Sequence, residues 1–593
     1  MKPLWFGPVS RPLFGWLHIP EGDRAKGCVL LSPTLGIEAV GARYAYRMLG
    51  DRLAGAGLLT LRFDYDGTGD SAGMPDDPDR VRAWVESTRV GLDLLRSFKL
   101  GRTGAVGMRV GAPLLVEALG SSPPEIDDLV LWDPCPSGRA FLREQSALWA
   151  FTLGATRADD GSVETPGLIF DPETVAQLSE LTLASGDGQL ADRVLLLMRA
   201  GRKGDRRLNE RLTMPNVERR QIAGQEDLID VEPGYAVVPV ATIDMIVDWL
   251  GERAASGPAK LIDAGVVGRN RVIIGSTAEG GTIEEEALSL GPLGLFGIMT
   301  RCRGAGEEVT VSGAGPVQGN DRHLGTEAPT ILFLNAGVLD HVGPARLWVH
   351  LARTWAELGF RVVRLDLNGM GDSPVRPGPA VDYIYAPDAL DDVHAALRDV
   401  LPDDPSNAIL VGLCSGAYHA IEGAIAHRVR GVCAVNPALT FSPPEVRVNA
   451  PLDLQVGKLD TRRQATGAKR NWTRLLPGRS VLGPMVERMP DPAWWLLNRV
   501  VVESPPVRTL TKATEAGAKV LVIAGTDEAR ELSRGEGRSM NRLERAGRFH
   551  MEVIAGLEHT LLEQRGRAQV VGLLTDFLRG EFVAPIAQAQ SAP

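Results

Sequence analysis

The sequence predicts an α/β protein written twice, as two mostly parallel sheets each covered by helices. Three observations carry this expectation. Short apolar, β-rich runs alternate with amphipathic helical stretches along most of the chain. The segment Leu61-Arg62-Phe63-Asp64-Tyr65-Asp66-Gly67-Thr68-Gly69-Asp70-Ser71 returns 302 positions later as Val363-Arg364-Leu365-Asp366-Leu367-Asn368-Gly369-Met370-Gly371-Asp372-Ser373. An apolar run then passes into a helical stretch through Val411-Gly412-Leu413-Cys414-Ser415-Gly416-Ala417.

The same repeat orders the rest. Phe14-Gly15-Trp16-Leu17 corresponds to Phe296-Gly297-Ile298-Met299, each on a hairpin strand that leads into an apolar strand, Cys28 to Leu31 or Thr330 to Leu334. An amphipathic helix follows, ending at Gly57 or Gly359, and then the repeated segment itself. Downstream, Leu131-Trp132-Asp133-Pro134 corresponds to Ala434-Val435-Asn436-Pro437. Small and turn-forming residues at Glu252–Pro258 suggest the boundary, giving domains at 1–258 and 268–583 and a frayed tail at 584–593. Each copy carries an irregular insert, about 140–190 and 440–515, in the position of a cap over the strand ends; the second holds Trp472, Trp494 and Trp495.

At 593 residues the chain is too long for one core, and two large domains fit best. Composition is that of a globular protein, 44% hydrophobic and 23% charged. No apolar run reaches the roughly 18 residues that span a bilayer, and the N-terminus lacks a signal-peptide core, so a cytoplasmic location is expected. Five scattered cysteines, none at Cys-x-x-Cys spacing, indicate neither a disulfide frame nor a zinc site. A net charge of −10 argues against a nucleic-acid partner. The basic run Arg199 to Arg207, with Arg211, reads as a solvated helix face. Gly67-Thr68-Gly69 and Gly369-Met370-Gly371 lack the third glycine of a dinucleotide fingerprint, and no metal or organic cofactor is implied.

Gly412-Leu413-Cys414-Ser415-Gly416 has the form of a nucleophile elbow, in which a reactive side chain stands on a strained turn and small neighbours relieve the crowding. In this register Cys414 is the nucleophile. Moving the register to Ser415 puts bulky Leu413 at a flanking position. A thiol in acyl transfer needs a base, a group that orients the base, and donors for the oxyanion. Strand candidate Lys519–Gly525 runs into a turn with Asp527, for which Glu528 is a near competitor, and strand candidate Met551–Ala555 leads to His559. Nucleophile, acid and histidine come in the chain order of an elbow enzyme. Backbone donors are expected at Ser415 and at Ala336 or Gly337, in the loop after the first central strand. His341, in that loop, is a candidate substrate contact, and His419 is assigned to packing or surface.

With these motifs, both halves resemble α/β-hydrolases, close to the serine aminopeptidase-like (S33, or hydrolase-4) group and to the bacterial exosortase-system-associated hydrolases. The resemblance implies a tandem fusion of two such domains. It implies that Asp366 to Ser373 is the family's Asp-x-x-Gly-x-Gly-x-Ser turn, with the acid at Asp527 and the histidine at His559. A cysteine elbow departs from the serine form and is similar to that of dienelactone hydrolases and polyhydroxyalkanoate synthases.

In the first copy the elbow reads Gly107-Met108-Arg109-Val110-Gly111, and a guanidinium is no nucleophile. Asp227 stands where the base belongs, and no histidine occurs between His18 and His323. The first copy is therefore read as a pseudo-enzyme that packs against, caps or regulates the second. The leading expectation is an acyl hydrolase acting on an ester or thioester of a small molecule or a carrier through an acyl-cysteine. The alternatives are an acyltransferase to an alcohol or amine, and a non-catalytic binding or assembly module.

Overall fold

In the computed structural model, the residues described are 1–120, 126–153, 160–183, 189–201, 206–254, 258–262, 268–304, 317–318, 328–376, 384–386, 388–437, 439, 506–534 and 536–583. The chain divides into two compact units, Met1–Ser276 with Glu307–Val317 and Thr277–Gly306 with Gln318–Pro593. The tail 584–593 and most of the second insert, including its three tryptophans, lie outside the described residues.

The first unit contains β1 (Lys2–Phe6), β2 (Leu13–His18), β3 (Gly27–Ser32), β4 (Leu58–Phe63), β5 (Thr103–Met108), β6 (Asp128–Trp132), β7 (Arg193–Arg199) and β8 (Val217–Ile222). They lie in the order β1-β2-β4-β3-β5-β6-β7-β8. The second contains β9 (Thr282–Leu290), β10 (Leu295–Arg303), β11 (Thr330–Phe333), β12 (Val362–Leu365), β13 (Ala408–Leu413), β14 (Gly431–Val435), β15 (Lys519–Gly525) and β16 (Phe549–Ile554). Within its sheet these follow the same path, β9-β10-β12-β11-β13-β14-β15-β16. In both, the lead-in hairpin is antiparallel and the remaining strands are parallel. Even the register repeats, with Gly15 opposite Phe63 and Gly297 opposite Leu365.

A parallel strand with helices on both faces must be apolar on both, which is why Ala408–Leu413 is an unbroken buried run. Its side chains alternate between two cores. Leu410, Val432 and Val522 pack in one. Ile409, Val411, Cys433, Leu521 and Ile523 pack in the other, under the helices Leu347–Glu357 and Gln564–Phe582. Truncating such a residue, for example Leu410→Ala, removes about 2–5 kcal/mol of stability.

The repeated aspartate turn has a structural cause. Asp366 is fully buried and accepts from the Asp372 N–H (2.9 Å), while Ser373 Oγ donates to its carbonyl (2.6 Å) and accepts from the Phe296 N–H (2.8 Å). Asp64, Asp70, Ser71 and Phe14 make the matching bonds in the first unit, at 3.0, 2.7 and 2.8 Å. A Cβ at Gly371 or Gly69, both at positive φ, would stand 2.0 Å from the Asp366 or Asp64 carboxylate. The motif therefore fastens the hairpin to the strand ends in both copies.

Candidate active site

At the end of β13, Cys414 adopts φ 56° and ψ −113° and opens the helix Ser415–His427. A side chain held in this left-handed region costs of order 1–3 kcal/mol, which the surroundings must offset. They do so by close backbone packing. The Cys414 N–H donates to the Val435 carbonyl (2.9 Å) on the neighbouring strand. A Cβ at Gly412 would meet the Gly416 carbonyl carbon at 2.1 Å, and one at Gly416 would meet the Asn335 carbonyl oxygen at 2.5 Å. Both glycines are thus required, in the register that makes residue 414 the apex.

His559 follows β16 on a loop and is half-buried. Its Nδ1 faces Glu528 Oε1 at 3.3 Å, and Cys414 and Glu528 are the two neighbours that raise its imidazole. The imidazole is pushed up to about 10, first by Cys414, then by Glu528, against the opposing effect of burial. The loop is pinned by Asn436, fully buried at the end of β14, whose amide donates to the His559 carbonyl (3.0 Å) and accepts from the Gly525 N–H (3.0 Å).

Asp527, the acid that the sequence suggests, does not face the histidine. Its largely exposed carboxylate accepts from Arg530 at 3.1 Å, and Glu528 is the residue brought to His559. The reason lies in local structure. β15 passes at Gly525 directly into a helix, Thr526–Ser533, rather than into a turn. Successive side chains on a helix point about 100° apart, so turning Glu528 toward β16 turns Asp527 to solvent.

On the opposite side of the elbow lies the loop after β11. Ser415 is buried, and its Oγ accepts from the Gly337 N–H at 2.9 Å. One expected oxyanion donor is therefore engaged by a side chain. The Ser415 N–H stands in the first turn of its helix, where no intrahelical acceptor exists. Ala336 is buried in the same loop.

His341 sits away from solvent, 2% exposed. It is bonded to Asp366 through its N–H (2.7 Å) and Nδ1 (2.8 Å), and Phe296 packs edge-on at 4.9 Å. Rather than facing substrate, His341 ties the loop to the aspartate turn, as does Asn335 Nδ2 on Asp366 Oδ1 (2.9 Å). His419 is buried and bonds the Ile384 carbonyl through Nε2 (3.0 Å). Tyr385, which no sequence motif marks, packs edge-on against Tyr418 of the helix that Cys414 opens, at 5.6 Å between ring centroids.

The first unit keeps the elbow backbone. Arg109 has φ 53°, its N–H donates to the Trp132 carbonyl (3.1 Å), and a Cβ at Gly111 would meet the Pro33 oxygen at 2.2 Å. Its guanidinium is buried among Glu38 (3.2 Å), Asp133 (3.5 Å) and Glu144. Gln145 and Thr34 also bond Glu38, at 2.9 and 2.8 Å. Glu144 and Gln145 come from the helix Gly138–Leu153 of the first insert. Arg199, which the sequence suggests is on a solvated helix face, is instead the buried end of β7 and pairs with Asp133 (2.7 Å) and Asp230 (2.5 Å). Asp227 lies on a short helix, Gln225–Ile229, with its side chain exposed.

No group of metal-ligating side chains occurs among the described residues, and no described helix is long and apolar enough to cross a membrane. No curated protein sequence matches the chain. Similar solved structures include a serine α/β hydrolase without lid from Xanthomonas campestris, at 15% identity and TM-score 0.26, covering 51% of this chain and 96% of that one. Est1E from Butyrivibrio proteoclasticus has 13% identity and TM-score 0.32, with 43% and 100% covered. A dienelactone hydrolase from Anabaena variabilis has 11% identity and TM-score 0.29, with 51% and 99% covered. Residues 331–573 match the family described as the alpha/beta hydrolase family. The matched segment carries Cys414, Glu528 and His559, and the first unit repeats its strand order.

Proposed function

We propose that the second unit hydrolyses an ester or thioester through an acyl-cysteine, with Cys414 as nucleophile, His559 as base and then acid, and Glu528 orienting the imidazole. The observation that carries this reading is the bridging of Cys414 and Glu528 by one histidine beside a strained elbow. The sulfur attacks the acyl carbon, its proton passes to His559, and the carbonyl π pair moves onto oxygen. Collapse expels the alcohol or thiol, which takes the proton from His559. Water, deprotonated by His559, then attacks the acyl carbon, and the thiolate leaves.

Cys414 and then Glu528 raise the His559 imidazole to about 10, which suits it to hold the thiol proton until the leaving group takes it. The match of residues 331–573 to the alpha/beta hydrolase family supports the class of reaction. The test is turnover of aryl esters and acyl-thioesters of graded chain length. Cys414→Ala is expected to abolish turnover, and a Cys414→Ala variant with unchanged rate would send the nucleophile elsewhere.

A further inference from the structure

His419 stands five residues past Cys414, on the helix that Cys414 opens, and is buried. Its Nε2 lies 3.0 Å from the Ile384 carbonyl oxygen. A carbonyl only accepts, so Nε2 carries the ring proton, and in the neutral ring Nδ1 is left with a lone pair. Burial holds the imidazole below its ordinary value and so keeps it neutral. That Nδ1 is itself buried and has no hydrogen-bond partner among the described residues. An acceptor withdrawn from water and left without a donor is costly, and folded proteins rarely keep one without a use.

His419 lines a small cavity together with Gly337, Ser415, Leu367, Ile384 and Ala386. The cavity thus reaches the loop after β11 at Gly337 and the residue after the apex at Ser415. Ser415 and His419 are one helical turn apart and share a face of their helix, and side chains on a helix lean toward its N-terminus, here toward Cys414. Leu367, Ile384 and Ala386 give the cavity an aliphatic wall. Asp392 and Asn368 also line it, but the Asp392 oxygens already accept from the Asn368 N–H (2.8 Å) and from Arg376, and Asn368 Oδ1 accepts from the Arg376 N–H (2.7 Å). Five residues of helix advance about 7.5 Å. A hydroxyl on the β-carbon of an acyl group carried by the sulfur, together with its hydrogen bond, covers a comparable span.

Building on the acyl-cysteine reading, we propose that this cavity receives the acyl group of the substrate and that His419 sets its specificity, Nδ1 accepting a hydrogen bond from a hydroxyl on the β-carbon of that group. The substrate class is a β-hydroxyacyl ester or thioester. The aliphatic wall takes the carbon chain, and the hydroxyl supplies the donor that Nδ1 lacks. An acyl group with a methyl in place of the hydroxyl leaves Nδ1 buried and unpaired, and the site discriminates against it. No proton is transferred by His419.

The experiment gives the full chain p-nitrophenyl β-hydroxybutyrate and p-nitrophenyl isovalerate, two esters of one shape in which a hydroxyl replaces a methyl. The hydroxylated ester is expected to be favoured in kcat/KM by roughly tenfold or more, and His419→Phe to bring that ratio within about twofold of one. Because the ratio is taken within one variant, a loss common to both esters cancels. Ala386→Leu fills the same cavity without touching His419, and is expected to lower kcat/KM for the hydroxylated ester by roughly tenfold relative to p-nitrophenyl acetate. A full chain that turns over both shaped esters equally, or that hydrolyses only the acetate, overturns this proposal alone. So does a preference that survives His419→Phe, or an Ala386→Leu variant with an unchanged ratio to acetate. Turnover that survives Cys414→Ala overturns the acyl-cysteine reading and this proposal with it.

Discussion

The two elbows, at Arg109 and Cys414, share a backbone and differ in everything that backbone presents. Both apex residues lie at positive φ, 53° and 56°, and both donate their N–H to the neighbouring strand, at 3.1 and 2.9 Å. After them, Asp133 and Asn436 occupy the same strand end at φ 44° and 43°, with N–H bonds to Leu197 and Ile523 of 2.9 and 2.8 Å. In the second unit Asn436 holds the histidine loop. In the first, Asp133 pairs with Arg109 and Arg199. The strained turn is therefore independent of the apex side chain, because its glycines and strand bonds are built into how sheet and helix meet. Where the second unit places Cys414, the first places a buried ion-pair cluster to which the helix of the first insert contributes Glu144.

The acid position gives the largest effect that separates the halves. Glu528→Ala is expected to lower kcat/KM for an aryl ester by roughly 10²–10⁴-fold, whereas Asp527→Asn should change it less than about twofold. Steady-state kinetics on both variants decide it. The reverse ranking would restore Asp527 as the orienting acid.

Next comes stability in the first unit. Arg109→Ala leaves Glu38, Asp133 and Glu144 around a vacated buried charge, and about 3–5 kcal/mol should be lost from the transition of this unit in denaturant. A loss under about 1 kcal/mol would show that the cluster is looser than its geometry implies.

A smaller effect concerns pH. In the free site Cys414 and Glu528 hold the His559 proton to about 10, so the alkaline limb of kcat/KM, which reports the free enzyme's essential groups, should lie near there. Glu528→Gln removes one of the two causes that raise the histidine, and the limb should move toward neutral. A limb that stays put would detach Glu528 from His559.

A modest change is expected at Ser415. Ser415→Ala keeps the backbone N–H proposed for the oxyanion, so it should change kcat by only about two- to fivefold, in either direction, as the Gly337 N–H is released. A loss as large as that of Cys414→Ala would put the hydroxyl itself in the chemistry.

Much of this was legible in the chain. The 302-residue offset predicts two sheets of one order, since Asp64 and Asp366 each bond a turn that only glycine at 69 and 371 permits. The register of the elbow follows from the steric demand on Gly412 and Gly416. The acid was blurred because two adjacent carboxylates follow β15, and only the immediate start of the helix decides which one turns inward. His341 looked available because a loop histidine gives no hint that a buried aspartate will claim its ring. Arg199 was misread because a basic run does not show which member ends a buried strand.

The most direct test of the contrast between the elbows is trapping of the acyl-enzyme. The full chain is mixed with an aryl ester, quenched in acid, digested and mapped by mass spectrometry. The account predicts one acyl group per chain, on the peptide that holds Cys414 and attached to that sulfur, with none in the Cys414→Ala variant and none on the peptide that holds Arg109. An adduct on Ser415, or one that survives in Cys414→Ala, would contradict it.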